Sequence, residues 1–148
     1  MSIWKRPRPT PLRKDFFEGR CVNASTLKIA IATFRGEAAA SHQLIHVFSA
    51  IEESATTLLE SEQPAALILD FRELRYEWGD EMARTLGELS WRDDREFAVA
   101  IITSNLNQAG LTSLLQDEMF LEPSNWLFDS ELEALTKIQS KLSLSKFS

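Results

Sequence analysis

The sequence predicts an α/β domain, a mostly parallel, four- to five-stranded sheet with alternating helices, and three observations predict it. Residues 65–69 (AALIL) and 97–102 (FAVAII) are short, uninterrupted apolar runs, the first between Pro64 and Asp70 and the second between Glu96 and Thr103, the pattern of strands covered on both faces. Around them lie longer stretches whose apolar residues recur at three- and four-residue steps, the period of one buried helical face. Strand and helix then alternate along the chain, and such alternation requires crossover connections, which join parallel neighbours and are almost always right-handed.

The first strand is ambiguous within residues 16–24, with Asn23 and Ser25 in a turn before the next. Residues 27–34 (LKIAIATF) form a clearer strand, ended by Gly36. Leu44, Val47, Phe48, Ile51, Ala55, Leu58 and Leu59 mark a long helix that Pro64 stops. After the strand at 65–69, which leads to Asp70, a second helix begins near Gly79 or Asp80, where Asp80 and Glu81 suit a helix N-terminus, with Ala83, Leu86 and Leu89 inside. The strand at 97–102 is followed by Asn105 and Gln108, spaced as a capping box for a third helix that buries Leu106, Leu111, Leu114 and Leu115. Residues 125–128 read as a short last strand. Ser130 and Glu133 form a second box, opening a terminal helix with Leu132, Leu135, Ile138 and Leu142 inside.

The 148 residues suffice for one domain that buries about two-thirds of the surface its unfolded chain exposes. Hydrophobic residues at 44% and charged residues at 26% are the balance of a packed globular protein. Cys21 is the only cysteine, which rules out an internal disulfide and fits a reducing compartment. No apolar run follows the basic first residues as in a signal peptide, and none approaches the roughly 18 residues of a membrane span, so a cytoplasmic location is expected. Net charge is −6, yet Lys5, Arg6, Arg8, Arg13 and Lys14 place five cations and no acid in residues 1–14. The body is therefore more acidic than the whole and repels phosphate backbones, which argues against nucleic acid as a partner. With Pro7, Pro9 and Pro11 favouring extended backbone, residues 1–14 are expected to be a basic, proline-rich N-terminal arm, and 15–148 the single folded domain.

Leu67, Ile68, Leu69, Asp70, Phe71, Arg72, Glu73, Leu74, Arg75 and Tyr76 sit as an apolar strand, an aspartate and a short hydrophobic step before a helix, and residues 127–135 (LFDSELEAL) as a closing strand with its terminal helix. In these stretches the chain resembles the STAS domain, the family of the anti-sigma-factor antagonists and of the cytoplasmic ends of sulfate transporters, over about Leu27 to Leu142. The resemblance implies a non-enzymatic, protein-binding domain. Antagonists of that family carry a phosphorylatable serine in an Asp-Ser-Ser-Gly-Leu turn, where the matching stretch here reads Trp78, Gly79, Asp80, Glu81, Met82. Gly79 falls where that serine would be, and no Ser or Thr occurs from Glu62 to Arg84, so the serine switch is expected to be missing.

The corner 76–81 joins two large aromatics to three carboxylates beyond a central strand, where open α/β sheets place their binding sites. Tyr76, Glu77, Trp78, Asp80 and Glu81, with Arg84 on the following helix, are the candidate partner-binding residues; aromatics anchor interfaces, and acids select a basic partner. The competing explanation is structural: the aromatics seal the core and the acids cap the helix. Other chemistry finds little support. His42 and His46 have metal-binding spacing, but Gln43 stands where a zinc protease has its glutamate and no third ligand is evident. Neither a nucleophile elbow nor a phosphate loop occurs, Glu52, Glu53, Asp93 and Asp94 read as solvated faces, and Cys21 reads as a small hydrophobe. No catalytic residue, cofactor or metal ligand is assigned, no membrane contact is expected, and self-association is left open. The alternatives are a small-ligand or enzymatic domain of flavodoxin-like topology using Asp70 to Arg72 and Ser104 to Asn107, and an acidic antagonist such as an immunity protein.

Overall fold

A computed structural model of the chain describes residues 16–24, 26–37, 45–76, 80–90 and 97–146. Five strands, β1 (Phe17–Ala24), β2 (Leu27–Glu37), β3 (Ala66–Arg75), β4 (Ala98–Ile102) and β5 (Leu127–Phe128), form one sheet in sequence order. β1 and β2 are an antiparallel hairpin, and every later pairing is parallel. The helices are α1 (Ile45–Glu62), α2 (Asp80–Ser90), α3 (Gln108–Ser113) and α4 (Glu131–Lys146). The two apolar runs lie side by side in the same direction, as predicted, with Ala66 opposite Ala98 and Asp70 opposite Ile102.

Alternation along the strands divides the core. Ala30, Ala32, Phe34, Leu67, Leu69 and Phe71 face α1, α2 and α3, where they meet Ile51, Ala55, Met82, Leu86 and Leu111. Ile29, Ile31, Ala66, Ile68, Ala100 and Ile102 face α4 through Ala134, Ile138 and Leu142. Each large aliphatic side chain buried in this way contributes about 1.5–3 kcal/mol relative to exposure. At the first face's hairpin end the Phe34 ring meets those of Phe16, Phe17 and Phe71 at centroid distances of 5.7, 5.2 and 5.9 Å.

Several expectations are corrected. Leu132, read as an inner residue of the terminal helix, is 73% exposed, and Ala134 takes the inward position. The period needs one inward residue per turn, and Ala134, Ile138 and Leu142 supply it at four-residue steps. Asn105 and Gln108 do not form a capping box; Asn107 precedes α3, and its side chain bonds elsewhere. The third helix runs into a π-helical turn at Leu114–Glu118. β3 does not end at Asp70 but continues to Arg75. The Ser130 box does form: the Glu133 N–H donates to Ser130 Oγ, while Glu133 Oε1 accepts from the Asp129 N–H. At the end of α1 the chain reverses at Gln63, with φ 49°, and Pro64 then prevents another turn. Leu44 and His42 lie outside the described residues, as does the basic arm. Among the described residues no helix is long and apolar enough to cross a membrane.

Candidate functional site

β3 overruns β4 by five residues, so its last stretch, 71–75, lacks a strand neighbour on that side. Buried backbone carbonyls left without donors would cost about 1–3 kcal/mol each. The segment that follows β4 supplies the donors. Asn107, 1% exposed, donates from Nδ2 to the carbonyls of Phe71 (2.5 Å) and Leu74 (2.8 Å), and its Oδ1 accepts from the Ser104 N–H (3.1 Å). Ser104 Oγ donates to the Arg72 carbonyl (2.8 Å) and accepts from the Leu106 N–H (3.2 Å). The Leu106 carbonyl in turn accepts from the Tyr76 N–H (3.2 Å). Ser104 to Asn107 thus acts as a surrogate strand that holds the end of β3.

On its other side the overrun pairs with β2 through a bulge, since Thr33 faces Asp70 but Arg35 faces Glu73, giving β3 one extra residue. Phe71 and Leu74 both point inward, and Arg72 and Glu73 are both exposed. Asp70, 5% exposed, fixes the bulge: it accepts from the Arg72 N–H (3.2 Å), Nε (2.9 Å) and Nη2 (2.9 Å) and from the Thr33 hydroxyl (3.3 Å). Burial opposes the charged form of Asp70, but the Arg72 guanidinium and N–H, with the Thr33 hydroxyl, outweigh it and hold the carboxyl below its ordinary value. Arg35 joins the rim by pairing with Glu18 (3.0 Å) and Glu73 (3.2 Å), and Arg20 pairs with Glu131 at the start of α4 (2.6 Å). Asp70 to Arg72 and Ser104 to Asn107, read from the sequence as an alternative ligand site, are therefore engaged with one another and with the backbone.

The corner residues are placed unequally. Tyr76 is 1% exposed and packs into the face covered by α1 and α2. Glu77, Trp78 and Gly79 lie outside the described residues. Asp80 and Glu81 occupy the first turn of α2, and Arg84, one turn on, is exposed. Met82, Leu86 and Leu89 fix the rotation of α2 by entering the core, with Ala83 partly buried. Among the described residues no group of three or more His, Cys, Asp or Glu could hold a metal ion. Cys21 is partly buried; burial and the nearby Glu62 carboxylate push its thiol up, which disfavours the nucleophilic thiolate.

The sequence suggests Asn107 only as part of an alternative ligand site, not as a clamp on the end of β3, and it assigns no role to Thr33 and no bulge. The bulge leaves a readable sign, because Phe71 and Leu74 bracket two charged residues where strict alternation allows one. Asn107 follows Ser104 by three residues directly after an apolar strand, and local side-chain to backbone bonding is what those residue types do there.

The chain matches no protein-family model and no curated protein. Among solved structures it is similar to an anti-sigma factor antagonist from Mycobacterium paratuberculosis, at a TM-score of 0.58 and 13% identity, over 86% of this chain and 97% of that one. An uncharacterised protein from Shewanella loihica with a SpoIIAA-like fold aligns at a TM-score of 0.44 and 17% identity, over 82% of this chain and 93% of that one. By sheet order and by its likeness to the antagonist, the chain has the STAS-like fold expected from its sequence.

Proposed function

We propose that this domain is a non-enzymatic protein-interaction module that binds its partner through the corner spanning 76–84, without a serine phospho-switch. One observation carries the reading: β3 runs five residues past β4 and is clamped there by Ser104 and Asn107, which presents the start of α2 from a fixed base. Rigid presentation lowers the entropic cost of association. In this reading Trp78 is the anchor, Glu77, Asp80 and Glu81 select a basic partner, Arg84 completes the contact on α2, and Tyr76 holds the corner from below. The similar structure from Mycobacterium paratuberculosis, named for antagonism of an anti-sigma factor, supports a role exercised on another protein. Gly79 at the position matching the family's serine supports binding that phosphorylation does not gate, with Asp80 and Glu81 supplying fixed negative charge. A cytoplasmic setting follows from the same reading.

The test is capture with the full chain from a lysate of its source, followed by mass spectrometry. A single stoichiometric protein, lost from the Trp78→Ala chain while its far-UV spectrum stays native, is the expected result. Retention of that protein by Trp78→Ala, or co-purification of a small molecule in place of a protein, contradicts the proposal.

A further inference from the structure

A groove of about 390 Å³ runs along the junction of β1 and α1, and none of the residues at 76–84 lines it. Phe17, Gly19 and Leu58 form its apolar floor, and Glu53, Thr57 and Ser61 of α1 form a polar wall. Its shape follows from Gly19, where a Cβ would lie 3.0 Å from the Phe17 ring and 3.2 Å from Leu58; without one, the backbone between those side chains stays open as a shallow trough. Glu53 stands on this wall, and α1 carries no lysine or arginine to neutralise it; of its other glutamates, Glu62 is already paired with Lys28 of β2 (2.9 Å).

We propose that the occupant of this groove is the chain's own N-terminal arm, residues 1–14. Three observations support this assignment. The arm enters the fold at Phe16, which is 4% exposed and packed on Phe34, so the arm is rooted beside Phe17 on the groove floor. Its composition complements the groove, with its cluster of Lys5, Arg6, Arg8, Arg13 and Lys14 to meet Glu53, and Pro7, Pro9 and Pro11 to meet Phe17 and Leu58. Extended proline-rich backbone fits aromatic-lined grooves because little conformational freedom is lost on docking. Its reach is ample: fourteen residues at about 3 Å each span about 40 Å, and the wall from Glu53 to Ser61 is only about 12 Å long. Docked there, the arm offsets the charge of Glu53 and covers Phe17, Gly19 and Leu58.

Paramagnetic broadening in the full-length protein tests this. A nitroxide is attached at Thr10→Cys in a Cys21→Ser background, and the ¹⁵N spectrum of Cys21→Ser alone serves as the reference for an intact fold. The proposal predicts that the amides of Ser54, Thr57 and Ser61 lose most of their intensity, that amides of α4 keep theirs, and that Glu53→Lys restores the lost signals. Even broadening over the whole surface, or broadening confined to another face, overturns it. In a mixture of spin-labelled ¹⁴N chain with unlabelled ¹⁵N chain, the same amides should stay sharp; broadening there would assign the groove to a second copy's arm and refute the intramolecular placement.

Discussion

Replacing Asn107 by alanine isolates the clamp on which the corner depends. The side chain is 1% exposed and makes three hydrogen bonds, to the carbonyls of Phe71 and Leu74 and from the Ser104 N–H. At about 1 kcal/mol net for each bond the loss is about 3 kcal/mol, and a stranded buried carbonyl raises it unless water enters the space left behind. An expected loss of about 3–4 kcal/mol corresponds to a fall in Tm of roughly 10 °C for a domain of this size. Urea unfolding followed by far-UV circular dichroism reads it directly, with an unchanged slope showing that the native state keeps its compactness. Asn107→Asp sharpens the test, since aspartate keeps an acceptor for Ser104 but sets a carboxylate against two carbonyl oxygens. It must be at least as damaging as alanine at neutral pH. A loss below about 1 kcal/mol for Asn107→Ala, or a harmless Asn107→Asp, would refute the surrogate-strand argument.

Other consequences are equally open to measurement. Because the Asp70 carboxyl is held below its ordinary value of 3.8, its contribution is present above that value and is lost as pH falls through the lowered one. Asp70→Asn should therefore cost about 1–3 kcal/mol at neutral pH and flatten the acid limb of a urea-midpoint profile; parallel profiles for the two proteins would contradict the ion pair's role. Gly19→Ala should cost about 1 kcal/mol, because Phe17 and Leu58 must move to admit the Cβ, and an unchanged unfolding midpoint would show that they yield freely. Phe120 adopts φ 56° and is 85% exposed, so Phe120→Asn should stabilise by about 0.5–1 kcal/mol by relieving left-handed backbone strain. A destabilised Phe120→Asn would mean that the ring has a stabilising contact.

The fold was legible where burial is uniform. Residues 66–70 and 98–102 are apolar or paired on both faces, so hydrophobicity alone marks them as central strands, and the crossover rule then orders them. The antiparallel hairpin was less legible because β1 is an edge strand of mixed exposure, with Glu18, Gly19 and Asn23 exposed. In α4, Leu132 misled because three-residue steps back from Ile138 through Leu135 reach it, whereas the buried stripe runs by four-residue steps through Ile138 to the small Ala134. The candidate site was legible in location and only partly in composition. Asp70 marked the end of β3's run opposite β4, but nothing local showed that the strand would continue, because its continuation is stabilised from Asn107, 36 residues from Phe71 in sequence. Tyr76 illustrates the same limit: its type suggests a contact residue, and its burial is decided by α1 and α2.

The central claim is that the partner meets the α2 side of the sheet and not the α4 side. Affinities of the full chain, of Trp78→Ala and of Leu132→Ala for the purified partner test it most directly, since Leu132 is 73% exposed on α4 and serves as an equally apolar control. A binding anchor is worth about 2 kcal/mol or more, so Trp78→Ala should weaken Kd by roughly 30-fold while Leu132→Ala leaves it unchanged. Equal affinity for Trp78→Ala and the unaltered chain, or a loss confined to Leu132→Ala, would place the interface elsewhere.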